Sequence, residues 1–316
     1  IALYFGVLMF ISHLTSKDAD NKTFFTAGKS SPWYVVAFGM VGVLLSGVTF
    51  LSVPGWIKGS QFSYLQFVLG NVVGYWLIVG ILLPLYYKMN LTSIYEYLGI
   101  RFGPKTRKAG SFFFLLSRTV GASFRLFLVA IVLHELVAKD YGIHFSITVA
   151  VTILLIWVYT FRGGIKTVVW TDILQTSFML IALVTFLIWV SSELGGTTVA
   201  LQEISDEGLT KTFFFEWSAN GFFQKFLSGV FIALVMNGLD QDMMQKTLTC
   251  KNLSDAKKNV MTLSIVFLFI NILFMILGAM LTIYAESNGL DAKGDTLFLG
   301  VAKNAPTILF VLFLLG

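Results

Sequence analysis

Within the apolar stretch SFFFLLSRTVGASFRLFLVAIVLHELV stand two arginines, Arg118 and Arg125, seven residues apart. Seven residues are two helical turns, so on a helix both guanidinium groups share one face, about 10 Å apart along the axis. A cation near the bilayer centre costs at least about 2.5 kcal/mol and normally faces a bundle interior, a partner or water. Two roles are open to each arginine: packing glue against acids or backbone carbonyls, or bidentate recognition of a carboxylate entering a cavity. A second group lies in Trp33 to Trp56, WYVVAFGMVGVLLSGVTFLSVPGW, where Ser46 and Thr49 are three apart and put two hydroxyls on one side of a helix. Covalent chemistry has no support. His134-Glu135, His144 and His13 are too loosely spaced for a metal site, and no phosphate-binding loop, catalytic triad or Cys/His cluster is present. An enzyme is not expected, since a membrane enzyme needs acids or histidines facing each other at mid-span.

The elements that must position these groups are membrane spans. Hydrophobic residues make up 56% of the chain and charged ones only 12%, where a soluble domain carries roughly a quarter charged. Apolar runs of spanning length, about 17 to 25 residues, recur at 1–14, 33–53, 64–87, 111–138, 145–161, 168–190, 223–239, 260–285 and from 307 onward. Positive charge tests the count, because cytoplasmic loops collect Lys and Arg. The first, third, fifth and seventh loops carry fourteen basic residues against six in the others, and the sixth is acidic as well. The first loop is therefore expected in the cytoplasm. The net charge of +5 belongs to these loops and not to a nucleic-acid surface. The lone cysteine, Cys250, excludes an internal disulfide. Both ends of the chain fall inside apolar runs, which reads as a fragment of a longer transporter-sized protein.

Two of the spans are weak as helices. The 33–53 span has Gly39, Gly42 and Gly47 among Val and Leu, with Pro54-Gly55 ending the run. The segment FQKFLSGVFIALVMNGLDQDMMQKTL, 223–248, has Ser228-Gly229 early and Asn237-Gly238 just before Asp240-Gln241. In lipid every backbone N–H and C=O needs a partner, so an interrupted helix is tolerated where protein or a watery cavity replaces the lost bonds. By the span count the two interrupted segments run in opposite directions. Broken helices in matching positions of inverted repeats are a pattern of secondary transporters, and they mark the binding site.

Several stretches carry a resemblance to a known family. FFTAGKSSPWY (Phe24 to Tyr34), SGVTFLSVPGW (Ser46 to Trp56), TSIYEYLGIRFG (Thr92 to Gly103), GGIKTVVWTDILQ (Gly163 to Gln175) and GLDQDMMQK (Gly238 to Lys246) occur in order along most of the chain. The chain resembles the sodium:solute symporter family, which carries sugars, proline, sialic acid, pantothenate and small anions with sodium. The resemblance implies an all-α integral membrane fold: a LeuT-like core of inverted five-helix repeats with one extra N-terminal helix, here truncated at both ends. On that scheme 1–316 is a single transporter domain, with the extra helix at 1–14, the first repeat at 33–190 and part of the second at 223–316.

The resemblance also implies the site. The sodium ion, Na+, is expected at backbone carbonyls of Gly42 and Leu45, freed where the first core helix unwinds, with hydroxyl ligands from an eighth core helix beyond Gly316. Asp172 has two readings. Near the start of a span an acid suits the helix dipole; by resemblance, the Trp-Thr-Asp acid belongs to a sodium release path or an additional sodium site. Asp240 and Asp242 read as structural or gating residues. The solute is expected among the first, second, third and sixth core helices, at Ser46, Thr49, Asn71, Arg125 and Asn237. Asn71 can equally be interhelical glue. If Arg125 lines the cavity, it selects a carboxylate.

The resulting expectation is a sodium-coupled symporter that imports a small organic anion, such as sialic acid or another carboxylate, by alternating access. It would work as a monomer, multi-pass in the cell inner (plasma) membrane. A sodium/sugar or sodium/amino acid carrier is the alternative. The family's sugar carriers have acidic and amide residues where Gly47-Val48-Thr49 stands, and its proline carriers have an acid at the position of Leu44. A passive channel is a further alternative and would lack coupling to sodium.

Overall fold

The computed structural model describes residues 6–7, 9–10, 31–45, 47–91, 93–160 and 164–315. The extra helix expected at 1–14 lies outside them except for residues 6–7 and 9–10, which are helical. The described residues are helical almost throughout, and an isolated bridge between Ser31 and Cys250 is the one β contact among them. In chain order the helices are α1 (Trp33–Leu44), α2 (Gly47–Ser60), α3 (Tyr64–Leu77), α4 (Leu83–Lys88), α5 (Ile94–Phe102), α6 (Pro104–Leu133), α7 (Phe145–Thr160), α8 (Gly164–Glu193), α9 (Thr197–Asp206), α10 (Phe222–Ala233), α11 (Gln241–Thr247), α12 (Leu253–Ser287), α13 (Leu297–Ala302) and α14 (Thr307–Leu315). Single π turns extend α3 (Ile78–Leu82), α6 (His134–Ala138) and α10 (Leu234–Gly238). Four helical segments have the length and apolarity to cross a membrane, and the pair Phe222–Gly238 and Gln241–Thr247 passes the same test as one broken span.

Local sequence explains the ends. Ser93 caps α5 by accepting the Tyr95 N–H at 3.1 Å. Gly103 has φ of 90°, a conformation that glycine adopts without penalty, and Pro104 follows at the first turn of α6, where its missing N–H is harmless. Asn252 accepts the Asp255 N–H at 2.9 Å at the start of α12. At about 1.5 Å per residue α12 is roughly 52 Å long, well beyond a hydrocarbon core of about 30 Å. Its charged first turns, SDAKKN, suit water.

Two expectations from sequence are corrected. Pro54-Gly55 does not end the opening run: α2 continues through both to Ser60. The reason is packing. A side chain at Gly278 would come within 2.5 Å of the Pro54 backbone, and one at Gly55 within 2.1 Å of the Gly294 carbonyl, so the pair forms a contact surface inside the helix. Likewise Ser228-Gly229 does not interrupt α10, which runs through both.

The chain divides into two compact units. One is drawn from Ile1–Met40, Leu82–Asp172 and Leu239–Asn259. In it α5 lies on α6, with Tyr95 against Phe114 at 5.4 Å and Gly99 and Gly110 admitting the side chains of Arg107 and Leu98. The α6 end and α7 form a hairpin in which Phe145 meets Phe127 at 5.9 Å and His134 at 5.4 Å. His134 also bonds the Thr148 hydroxyl at 3.3 Å, so it serves this hairpin.

The other unit is drawn from Val41–Ile81, Ile173–Gly238 and Val260–Gly316. Its core is a cluster of Phe50, Phe186, Phe274, Phe298 and Phe313, with ring centroids 4.8–6.4 Å apart. Such pairs each add about 0.5–1.5 kcal/mol beyond area burial. Its closest helix contact joins α3 to α10. A side chain at Gly70 would lie 2.0 Å from the Phe226 carbonyl, one at Gly229 2.1 Å from the Phe67 carbonyl, and one at Gly74 2.6 Å from both Ala233 and the Val230 carbonyl. Small residues let backbones approach in this way where lipid removes the hydrophobic drive for association. Both residue numbers rise together along the seam, so α3 and α10 run parallel, as the alternation of loop charge requires.

Candidate functional site

The first candidate element is the break between α1 and α2. α1 ends at Leu44, Leu45 sits in a bend, and α2 begins at Gly47. The last carbonyls of a helix have no partner within it. Here the Leu45 N–H takes the Val41 carbonyl at 2.9 Å, and the Thr49 hydroxyl donates to the Leu44 carbonyl at 3.5 Å. Gly42 is therefore within this end turn, and Leu45 is fully buried. Ser46, the other expected hydroxyl, lies outside the described residues. Thr176 of α8, also buried, closes on Gly42 from the side: a side chain there would be 2.0 Å from the Thr176 hydroxyl. Sequence reading did not single out Thr176. Its one signal is that it stands a turn after Asp172.

Asn71 and Asn237 are both buried in the second unit. The Asn71 amide donates to the Phe67 carbonyl, one turn back, at 3.2 Å. Asn237 lies in the π turn after α10, and its side-chain oxygen is buried without a hydrogen-bond partner. By the register of the glycine seam Asn237 is level with Ile78, so it stands about 10 Å along the axis from Asn71. The structure puts them on neighbouring elements, two turns apart. Gln66, which the sequence did not flag, is the satisfied amide of this region. It donates to the Ser63 and Asn220 carbonyls at 3.1 and 2.9 Å and accepts the Phe214 N–H at 3.1 Å.

In the first unit the two arginines separate in role. Arg118 is ion-paired with Asp240, its Nε donating to the carboxylate at 2.6 Å. The other oxygen of Asp240 accepts the Asp242 and Met243 N–H groups at 3.0 and 3.2 Å. Asp240 is thus an N-cap for α11 and the counter-charge of Arg118 at once. Arg118 takes the packing role that sequence left open. Arg125, two turns on, is exposed and has no ion pair among the described residues.

Asp172 lies in the same unit as Lys246 and pairs with it, Nζ to carboxylate, at 2.8 Å. The side chain of Lys246 is 4% exposed and that of Asp172 15%. Asp242 stands 3.8 Å from the same ammonium on the more open side. Thr247, next in the chain, reaches the Met40 sulfur at 3.6 Å, and Asn259 reaches Thr247 at 3.5 Å. No group of three or more metal-ligating side chains occurs among the described residues. An ion held here would depend on backbone carbonyls and hydroxyls.

Comparison with known proteins supplies the family. The profile of the sodium:solute symporter family matches residues 24–302. The chain belongs to the sodium:solute symporter family. Similar relatives are the sodium/sialic acid symporter NanT of Aliivibrio fischeri, 25% identical over 297 residues that cover 90% of this chain and 57% of that protein, and the human sodium-coupled monocarboxylate transporter 2, 26% identical over 263 residues, 81% of this chain and 42% of that protein. The sodium/sialic acid symporter SiaT of Proteus mirabilis is 24% identical over 286 residues, 86% of this chain and 54% of that protein. The symporter-family chain thus spans about half the length of the curated relatives it matches.

A solved structure described as the substrate-bound outward-open state of a Na+-coupled sialic acid symporter, with a novel Na+ site, aligns with a TM-score of 0.89 at 20% identity. The alignment covers 99% of this chain and 67% of that one. At this identity the likeness establishes the fold, which for this symporter-family chain is the all-α LeuT-like architecture of a multi-pass membrane protein.

Proposed function

We propose that the protein carrying this chain is a sodium-coupled symporter that imports a small organic anion by alternating access across the plasma (inner) membrane. Transport in place of catalysis is what the family match supports. The observation that carries the reading is the end of α1 at Leu44, with Leu45 in a bend before α2, in a family defined by sodium coupling. Sodium is a hard cation, and carbonyls at broken helices are suited to it. We assign it to the carbonyls of Gly42 and Leu45. Ser46 and Thr49, which follow these residues in the sequence, are assigned to the solute. A solute touching them would contact backbone whose geometry the ion holds, which is a physical route for coupling.

The anionic class rests on Arg125. A guanidinium without an ion pair is costly against lipid, so we place it on the transport cavity, where it pairs with a carboxylate. Sialic acid and monocarboxylates, named for the relatives above, share that group. Asn71 and Asn237 are assigned to the polar part of the solute, Asn237 through its unpartnered oxygen. A monomer suffices for this scheme.

The test is uptake by the full-length protein in proteoliposomes, with sialic acid and a short monocarboxylate as probes. Accumulation driven by an inward sodium gradient is expected; equal accumulation with potassium refutes sodium coupling. Arg125→Ala is expected to abolish carboxylate uptake, and an unchanged apparent affinity would remove Arg125 from the site.

A further inference from the structure

Asp172 is the one acidic side chain that the family resemblance offers to a second sodium, and its surroundings argue otherwise. Its carboxylate already holds the ammonium of Lys246 at 2.8 Å, and that ammonium is 4% exposed. A buried charge needs a charged partner and hydrogen bonds to be tolerated. Among the described residues the acids in ion-pair reach of Lys246 are Asp172 and Asp242, and Asp242 is the farther, at 3.8 Å, and 46% exposed. Lys246 is therefore held chiefly by Asp172. A sodium ion at the same carboxylate would sit within a few ångströms of a like charge that has no solvent to screen it.

Its backbone fixes Lys246 as well. The residue lies in the last turn of the short helix α11, whose start is capped by Asp240. Its own carbonyl accepts the Thr249 hydroxyl at 2.7 Å and the Thr249 N–H at 3.1 Å. The Lys246 stem thus starts from a helix turn tied at both ends. The neighbouring polar groups, Thr247, Asn259 and Met40, bond one another and offer no further anion.

We propose that Lys246 is the resident counter-cation of Asp172, so that this carboxylate binds none of the transported sodium and Lys246 sets the number of sodium ions moved per solute. The inference deepens the symporter reading and rests on it. Replacing the ammonium by an uncharged chain would leave a buried carboxylate seeking a cation, and sodium in solution would supply one.

The experiment measures the sodium dependence of solute uptake, and the sodium-induced rise in melting temperature of the purified full-length protein against choline, in four proteins. These are the wild type, Lys246→Met, Asp172→Asn, and the double variant Lys246→Met/Asp172→Asn, which removes both charges together. The double variant is expected to keep the wild-type Hill coefficient for sodium and the wild-type sodium midpoint within about twofold. Asp172→Asn alone is expected to lower the melting temperature, with Lys246→Met restoring it in the double variant. Lys246→Met alone is expected to raise the Hill coefficient toward one more ion. A Hill coefficient or sodium-induced melting shift that falls in the double variant would overturn the inference, because the carboxylate would then be a ligand. Should the double variant not transport, its sodium-induced melting shift decides by the same criterion. A wild type that shows neither sodium-dependent uptake nor a sodium-dependent shift would instead refute the symporter reading.

Discussion

Replacing Gly229 by alanine tests whether the α3–α10 seam is set by backbone contact. The added Cβ would lie 2.1 Å from the Phe67 carbonyl oxygen and 3.0 Å from the Asn71 nitrogen. A carbon–oxygen contact settles near about 3.3 Å, so the helices must part by roughly 1.2 Å, and backbone atoms cannot rotate aside as a side-chain tip can. Overpacking of this kind costs about 1–3 kcal/mol, and a gap of about 1 Å opened at Gly70 and Gly74 forfeits up to roughly half of each dispersion contact there. Alanine returns up to about 1 kcal/mol of helix propensity, leaving a net loss of about 1–2 kcal/mol. Gly80, with nothing within 4 Å of its would-be side chain, is the control, since Gly80→Ala carries the propensity gain without the clash. The two variants are expected to differ by about 2–3 kcal/mol, a few degrees in melting temperature, since a chain longer than about 250 residues shifts by less than roughly 2–4 °C per kcal/mol. The assay is thermal melting of the purified full-length protein in one detergent. If Gly229→Ala melts at or above Gly80→Ala, the seam does not rest on backbone approach.

Other consequences can be checked on the same preparation. Asp240→Ala removes both the α11 cap and the partner of Arg118 and is expected to cost about 2–4 kcal/mol, because the cap alone is worth about 1 and a stranded, partly exposed guanidinium adds to it. Asp240→Asn keeps a capping side chain and should be milder, and equal losses would mean that the charge is irrelevant. Burial pushes the Cys250 thiol up to about 12, so at pH 8 only about one thiol in 10⁴ is ionised. Alkylation of the folded protein is expected to be slow at pH 8 and to rise tenfold per pH unit up to pH 10, whereas a plateau near pH 9 would indicate an ordinary exposed thiol. Gly42→Ala, which drives a methyl into Thr176, is expected to raise the sodium concentration for half-maximal uptake several-fold, and a wild-type value would dissociate this turn from the ion.

The span positions were legible because apolarity over about twenty residues is a property of the chain alone. Each apolar run expected from residue 33 onward overlaps described helices, and four of those helical segments, or five with the bent pair, have the length and apolarity to cross a membrane. Motif residues such as the broken turn at Gly42–Leu45 and the Asn237-Gly238 step were legible for the same reason, since glycine and amide residues stand out in an apolar run. The role of each glycine was not. Gly229 and Gly55 look like helix breakers in sequence, yet each lies in an unbroken helix against a neighbour's backbone, because a glycine weakens a helix and enables close packing through the same missing side chain. Thr176 and Gln66 gave almost no signal, since single hydroxyl and amide residues are common in membrane helices and their partners are far along the chain.

Sequence alone determined that this chain lies in a membrane, where its apolar runs fall, and which family it belongs to, because lipid demands apolar length and internal backbone bonding wherever the chain goes. Tertiary structure decided the partners of the charges. Arg118 and Arg125 are equivalent by spacing, yet one meets Asp240 and the other no acid among the described residues. Neither sequence reading of Asp172 names Lys246, 74 residues away, which pairs with it at 2.8 Å. Electrostatic energy depends on distances of a few ångströms between groups remote in sequence, and only the folded chain sets those distances.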